Sequence, residues 1–468
     1  MKSVPPESIP SPIGPLFDPS ARMNARPVSV FYQIGLALVA FAMVLLPVVY
    51  FALTAVAGYG VYFFATHYFP EIWAWHGNGR YGILLKFVCS FTPLLVGGII
   101  VLFMVKPIFA RREKRMQPIT LNAEHEPLFA AFVQRICAIV GAPSPREIRL
   151  DCQVNASAGF RRGFMSFFGN DLVLTVGLPL VSGLSMRELA GVIAHEFGHF
   201  TQGAAMRVSY IIRRVNMWFA RVIYGRDSWD AALEEWSQSE TWWVSLMVWS
   251  ARLGVWFSRA ILKALMYLGH AICSFLMRQM EFDADRCEIH VAGSDGMEQT
   301  TIRLQELGVT MNGLHREMEK TWRTSHRLPD NVPVLVGYHV SRLPEDVRQE
   351  LANSIAGGRT GWLDTHPSDM DRITAARRIA APGLFIEDAP STGLLENFAS
   401  LGKFVTLAHY DDDLQIPTTE DFLIPVDAII NPAPPQPTPQ AAAVPQMQAV
   451  PQMQAVPQAP RWQGPPVG

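Results

Sequence analysis

Two long apolar stretches, residues 31–64 and 81–110, limit what this chain can become. The first contains no charged residue, and the second only Lys86 and Lys106 near its ends, where long side chains reach back to water. Each exceeds the roughly 20 residues needed to cross a bilayer, so together they predict a transmembrane hairpin whose first helix is tilted or kinked. Composition agrees: 49% of residues are hydrophobic and 17% charged, against about 25% charged in soluble domains. The formal net charge of -2 gives no electrostatic case for nucleic acid as a partner. Cys89, Cys137, Cys152, Cys273 and Cys287 show no paired spacing, which predicts free thiols in a reducing compartment.

Basic residues set the expected orientation. Arg22 and Arg26 precede the first stretch and Arg111, Arg112, Lys114 and Arg115 follow the second, while the loop between offers only Arg80, so both ends are expected to face the cytoplasm. Residues 1–30, rich in proline and serine, read as a disordered cytoplasmic arm. Residues 432–468 are Pro, Gln and Ala with the run Gln-Met-Gln-Ala-Val-Pro twice in succession, and read as a disordered tail. Residues 386–431 carry no pattern that assigns them.

From residue 117 the composition turns globular, and a domain over 117–385 is expected. Leu128, Phe129, Phe132, Val133, Ile136 and Val140 recur at helical spacing, stopped by Gly141-Ala142-Pro143. Ile148, Leu150, Cys152 and Val154 alternate with polar neighbours as a strand ending at Asn155. A hairpin is expected next, residues 163–168 against 171–176 through Gly169-Asn170. The fold class is therefore mainly α with a small β-sheet.

The chemistry lies in Ala194-His195-Glu196-Phe197-Gly198-His199-Phe200. Ser185 with Glu188 forms a capping-box pattern, and Leu189, Val192, Ile193, Phe197 and Phe200 give one buried face, so this segment is a helix on independent grounds. On a helix, His195 and His199 share a face and can present two imidazole nitrogens to one metal ion, with Glu196 beside them as a base for a water. That pattern is the grammar of a zinc hydrolase. A catalytic zinc takes three protein ligands and leaves a position open. The third is expected in Glu281-Phe282-Asp283-Ala284-Asp285: Glu281 as ligand and Asp285, one turn on, as acceptor for the outer N–H of a ligand histidine.

His195-Glu196-Phe197-Gly198-His199 followed by Glu281-x-x-Ala284-Asp285 resembles the integral-membrane gluzincin proteases of the HtpX and CAAX prenyl endopeptidase kind, over residues 31–379. Asn155-Ala156-Ser157-Ala158-Gly159 resembles that family's asparagine-alanine element, and His366-Pro367 with Arg372 its late His-Pro motif. The resemblance implies a zincin-like catalytic domain behind an N-terminal transmembrane hairpin and one Zn2+ per chain. It also implies substrate backbone held at Asn155, and His366 and Arg372 near the metal as oxyanion donors. It further implies a protein or peptide substrate of the membrane or misfolded kind, cleaved on the cytoplasmic face of a bacterial inner membrane. A prenylated CAAX-type substrate is the narrower alternative; a catalytically silent scaffold or a transporter are the rivals from other classes. Oligomeric state is left open.

Between motif and third ligand, residues 208–224 and 242–277 are apolar yet carry Arg213, Arg214, Arg221, Arg252, Arg259 and Lys263. They fit either further membrane-embedded helices, the favoured reading, or amphipathic helices lying on the bilayer or the domain.

Overall fold

The structure, a computed structural model, describes residues 23, 30–76, 79–109, 119–161, 171–201, 204–225, 228–238, 241–414, 416 and 419–432. The expectations for most of the N-terminal arm, the basic cluster at 111–115, the strand at 163–168 and the Pro/Gln/Ala tail lie outside these residues.

The chain begins with a hairpin of apolar helices. Helix α1 (Val30–Phe63) continues through one π-helical turn, Phe64–Tyr68, into α2 (Phe69–Ala74), and the chain returns as α3 (Arg80–Val105). Lipid offers no partner to a peptide N–H or C=O, so an apolar run of this length satisfies its backbone as helix. The spans Tyr32–Ala74 and Arg80–Val105 are long and apolar enough to cross a membrane. Leu38, Phe41 and Tyr81 on their outer faces are exposed, as lipid-facing residues are, while Leu36, Met43 and Tyr50 turn inward. The Tyr50 hydroxyl donates to the Met104 carbonyl (2.8 Å) and bonds the Ser258 hydroxyl (2.8 Å), which gives this apolar bundle one satisfied polar node.

A four-stranded sheet and its helices follow. Strand β1 (Ile119–Thr120) leads to α4 (Pro127–Val140), β2 (Glu147–Asp151), β3 (Ala156–Phe160) and β4 (Leu172–Gly177), then α5 (Leu178–Gly183) and α6 (Met186–Gly198). The strand order is β1-β2-β4-β3, with β2 parallel to β4 and β3 antiparallel to it at the edge. Here one expectation is corrected. The antiparallel partner of β4 is Ala156–Phe160, with Ala158 opposite Leu174, and β2 fills the other side. Small residues with little strand propensity form β3 because an edge strand facing a cleft needs backbone more than bulk. Helix α4 ends at Gly141, whose φ of 79° lies where glycine is free to go.

After the histidine motif come α7 (Ala204–Tyr224), α8 (Ser228–Trp236) and α9 (Trp242–Ser325). Ile212, Phe219 and Ile223 of α7 pack with Leu36, Met43 and Tyr50 of α1 and with Leu262, Met266 and Cys273 of α9. Helix α7 is not among the described helices apolar enough to cross a membrane, whereas the stretch Met247–Ser325 of α9 is. Only about 20 residues are needed to cross, so the apolar first part of α9, ahead of Glu281, is enough. The remainder enters the catalytic domain. Helix α9 breaks at Gly293, with φ 83°, where a Cβ would stand 2.6 Å from the Pro382 carbonyl oxygen.

The chain closes with β5 (Leu328–Pro329), α10 (Val332–Val340), α11 (Glu345–Gly357), α12 (Asp369–Ile379), α13 (Phe398–Ala408), β6 (Leu423–Ile424) and α14 (Val426–Ile430); β5 and β6 pair in parallel. The unassigned stretch 386–431 thus belongs to the globular core: Leu394, Val405 and Tyr410 pack with Phe132, Leu174, Ile193 and Phe197. The Glu126 carboxylate fastens it by accepting from the backbone N–H groups of Glu396 (2.6 Å) and Asn397 (3.0 Å).

Candidate metal centre

The site begins with how α6 starts. Ser185 accepts from the Glu188 N–H (3.2 Å) and its own N–H donates to the Glu188 carboxylate (2.7 Å), so two orphan donors of the first turn are satisfied reciprocally. Leu189, Ile193 and Phe197 are fully buried, each such burial contributing about 1.5–3 kcal/mol relative to exposure. With that face locked, His195 and His199 point along another flank.

Helix α9 then comes unusually close. A Cβ on Gly198 would lie 3.1 Å from Ala284 Cα and from Cys287 Sγ, and one on Gly191 3.1 Å from Ala292 Cβ. These two glycines, seven residues apart, let α9 approach until Glu281 meets the histidines. Nε2 of His195 lies 3.4 Å from Glu281 Oε2, and Nε2 of His199 3.9 Å from Oε1. Tetrahedral zinc with ligand bonds of 2.0–2.2 Å separates its ligand atoms by about 3.4 Å. The donor atoms of His195, His199 and Glu281 all lie within 4.8 Å of one another, so the set fits a metal both by chemistry and by spacing.

Behind His195 stands a second layer. Its Nδ1 lies 3.0 Å from Asp285 Oδ1, and Arg372 grips Asp285 with Nε (3.0 Å to Oδ2) and a terminal nitrogen (2.5 Å to Oδ1). A carboxylate at Nδ1 fixes the tautomer that leaves the Nε2 lone pair facing the ligand side. Glu288 adds a third acidic group, 3.6 Å from the same Nδ1. Burial works against charge on His195, but Asp285 and Glu281 outweigh it and raise its pKa to about 10. Burial also pushes Glu281 up, yet His195 and His366 more than offset this and hold its carboxyl well below the usual range. Burial first, and then the Arg213 guanidinium, push His199 the other way, well below its ordinary value, which favours the neutral imidazole that a metal ligand must be.

Glu196 borders a cavity of about 270 Å³ lined by Asn155, Val192, His195, Glu288 and Leu304 among others. Burial raises its pKa, which makes it a stronger base than a free carboxylate. The Ala158 N–H of the edge strand donates to Glu196 (3.3 Å), so β3 sets the orientation of this carboxylate.

The residues named from sequence thus gather in one place, with one shift of position. Asn155, exposed just ahead of β3, lines the cavity, and its carbonyl accepts from the Gly177 N–H (2.8 Å). His366 puts Nδ1 3.2 Å from Glu281 Oε1. Arg372 spends Nε and a terminal nitrogen on Asp285, on the Nδ1 side of His195, and at the same time lines the cavity beside Glu196. Two residues escaped the sequence reading. Glu288 continues the spacing Glu281, Asp285, Glu288 along one face of α9 and was legible there; burial pushes its pKa to about 7. Arg213 of α7, whose terminal nitrogen lies 3.1 Å from His199 Nε2 and 3.3 Å from Glu281 Oε1, showed in sequence only as a charge within an apolar stretch, because only tertiary packing brings α7 to the site.

Comparison with known proteins agrees with this geometry. The family model of peptidase family M48 matches residues 126–380. Protease HtpX of Acinetobacter baylyi is 24% identical over 331 residues, 66% of this chain and 91% of that protein. Protease HtpX of Stutzerimonas stutzeri is 27% identical over 307 residues, 64% of this chain and 88% of that protein. Protease HtpX of Pseudomonas savastanoi pv. phaseolicola is 29% identical over 195 residues, 41% of this chain and 60% of that protein. No solved structure matches the chain. The family match covers more than half of the 468 residues and includes both histidines, Glu196, Glu281 and Asp285, and the chain therefore belongs to peptidase family M48, as an HtpX-type metallopeptidase of the membrane.

Proposed function

We propose that this protein is a zinc-dependent endopeptidase of a bacterial inner membrane, which hydrolyses peptide bonds of membrane or misfolded proteins on the cytoplasmic side. The observation that carries the reading is the convergence of two histidine Nε2 atoms and the Glu281 carboxylate beside Glu196 and a cleft. Two imidazoles and one carboxylate are the ligand set of catalytic zinc in hydrolases. The basic residues flanking the hairpin on both outer sides support the cytoplasmic address, and the bacterial relatives support the kind of membrane.

His195, His199 and Glu281 would hold the ion, with Asp285 and Arg372 keeping the ligand histidine in register. When bound, zinc supplies Lewis acidity, polarising the scissile carbonyl and lowering the pKa of water toward neutrality. Glu196 takes the proton from the attacking water as its oxygen bonds to the carbonyl carbon. The same carboxyl returns that proton to the amine nitrogen when the C–N bond breaks, leaving an amine and a carboxylic acid whose remaining proton, from the same water, passes to solvent or to the amine. Backbone of an extended substrate can pair along the exposed rim of β3 beside Asn155, where strand addition sets register, while the cavity takes one of its side chains.

The substrate class is tested by incubating the purified, zinc-loaded protein with an unfolded membrane protein and, separately, with a prenylated peptide. Cleavage of the unfolded membrane protein with the prenylated peptide left intact is expected. Selective cleavage of the prenylated peptide near its lipidated end would replace this reading with CAAX-type processing.

A further inference from the structure

We propose that Arg213 is a catalytic residue: its guanidinium meets the oxygen of the scissile carbonyl as negative charge develops there. The inference rests on the peptidase reading above. When water adds to the carbonyl carbon, the π pair of the C=O bond moves onto oxygen and Glu196 holds the released proton. When the C–N bond breaks, that pair re-forms the C=O bond and the proton goes to the departing nitrogen. Arg213 enters no covalent step; it donates N–H to the oxygen while that oxygen is anionic.

Two arginines stand near the centre, and their positions separate their roles. Arg372 lines the cavity beside Glu196, but its Nε and a terminal nitrogen are both spent on Asp285, on the Nδ1 side of the His195 ring. Arg213 lies on the opposite side. One terminal nitrogen reaches both His199 Nε2 (3.1 Å) and Glu281 Oε1 (3.3 Å), the atoms on which the ligand set converges. Its side chain is 39% exposed, against 20% for Arg372, so it stands where a substrate arriving from solvent can reach it. Glu196 and Glu281 supply the negative charge that makes a third cation tolerable beside a metal.

Its scaffold points the same way. Ile212 and Phe219 of α7 are buried between α1 and α9, so the helix is fixed. Tyr210, one turn before Arg213, makes an edge-on contact with Phe160 of the edge strand, with ring centroids 5.0 Å apart, and carries Arg214 over its face at 5.4 Å. Helix α7 is thereby registered to the strand that would align the substrate. A planar fork of donors suits an oxygen that gains charge better than a single ammonium does.

The test uses the full-length protein loaded with zinc, comparing wild type with Arg213→Gln, Arg213→Lys and Arg213→Ala. Metal stoichiometry, metal affinity by chelator competition, kcat and KM on an unfolded protein, and affinity for a phosphinic peptide that mimics the tetrahedral state are measured. Removal of one oxyanion donor lowers kcat by about 10²–10³-fold. Arg213→Gln is therefore expected to keep its metal and its KM while kcat falls by that factor and phosphinic-peptide affinity falls in parallel. Arg213→Lys retains part of the rate, and added guanidinium partly restores Arg213→Ala. Unchanged kcat in Arg213→Gln overturns the proposal, including when its metal affinity rises, which would make Arg213 a competitor of the metal only. Loss of metal together with kcat also overturns it, making the role structural. An inert wild type overturns the peptidase reading itself, whereas an active wild type with an equally active Gln variant overturns this inference alone.

Discussion

Asp285 faces Nδ1 of His195 and receives Nε and a terminal nitrogen of Arg372, while Glu288 stands farther from both, at 3.6 and 3.8 Å. The place of Asp285 one turn after Glu281 was legible in sequence, because ligand and acceptor must share a face of one helix. Arg372 was legible only through a motif resemblance, and its partner was not, since an arginine can reach Asp285 or a substrate oxygen from the same backbone position. For Asp285→Asn, metal affinity measured by chelator competition is expected to fall by about 10–100-fold, the usual cost of losing the partner of a ligand histidine. Thermal unfolding should show a loss on the order of 3 kcal/mol, because a buried ion pair is broken and only Glu288, 3.8 Å away, is left to face Arg372. Wild-type affinity in that variant would remove Asp285 from the account.

At the scale of elements, the site is the seam between α6 and α9. Helix α6 was readable nearly to the residue, because cap, apolar face and motif all obey the same period. The seam was not readable, because Gly191 and Gly198 matter for what α9 places against them. Strand β3 was legible only through the family resemblance, because Ala156, Ser157 and Ala158 carry no strand pattern of their own until β4 pairs with them. Gly198→Leu is expected to destabilise the fold by about 1–3 kcal/mol and to weaken metal binding, since Ala284 Cα and Cys287 block the new side chain at 3.1 Å and α9 must move with Glu281. Gly313→Ala, also on α9, meets no atom within 4 Å and serves as control; it is expected to gain about 0.5–1 kcal/mol from helix propensity. Equal metal affinity in Gly198→Leu and wild type would show that close packing does not set the ligand geometry.

At the scale of the whole molecule, α9 unites two environments. Its first part packs with α1 and α7 among apolar helices, and its later part carries Glu281, Asp285 and Glu288 into the catalytic core. The hairpin was plain in sequence because lipid demands long uninterrupted apolar runs. The segment 386–431 was opaque because it adds single side chains to a core built by earlier elements and has no period of its own. Helix α7 held both difficulties, with arginines in an apolar helix that acquire meaning only where Arg213 meets His199 and Glu281. All of this converges on Glu196 as the base that acts on water at a metal held by its neighbours. The most direct measurement is metal content together with hydrolysis of an unfolded protein for wild type and Glu196→Gln. The account predicts one zinc per chain in both and a rate lower by about 10²–10⁴-fold in the variant; hydrolysis at the wild-type rate by Glu196→Gln would contradict it.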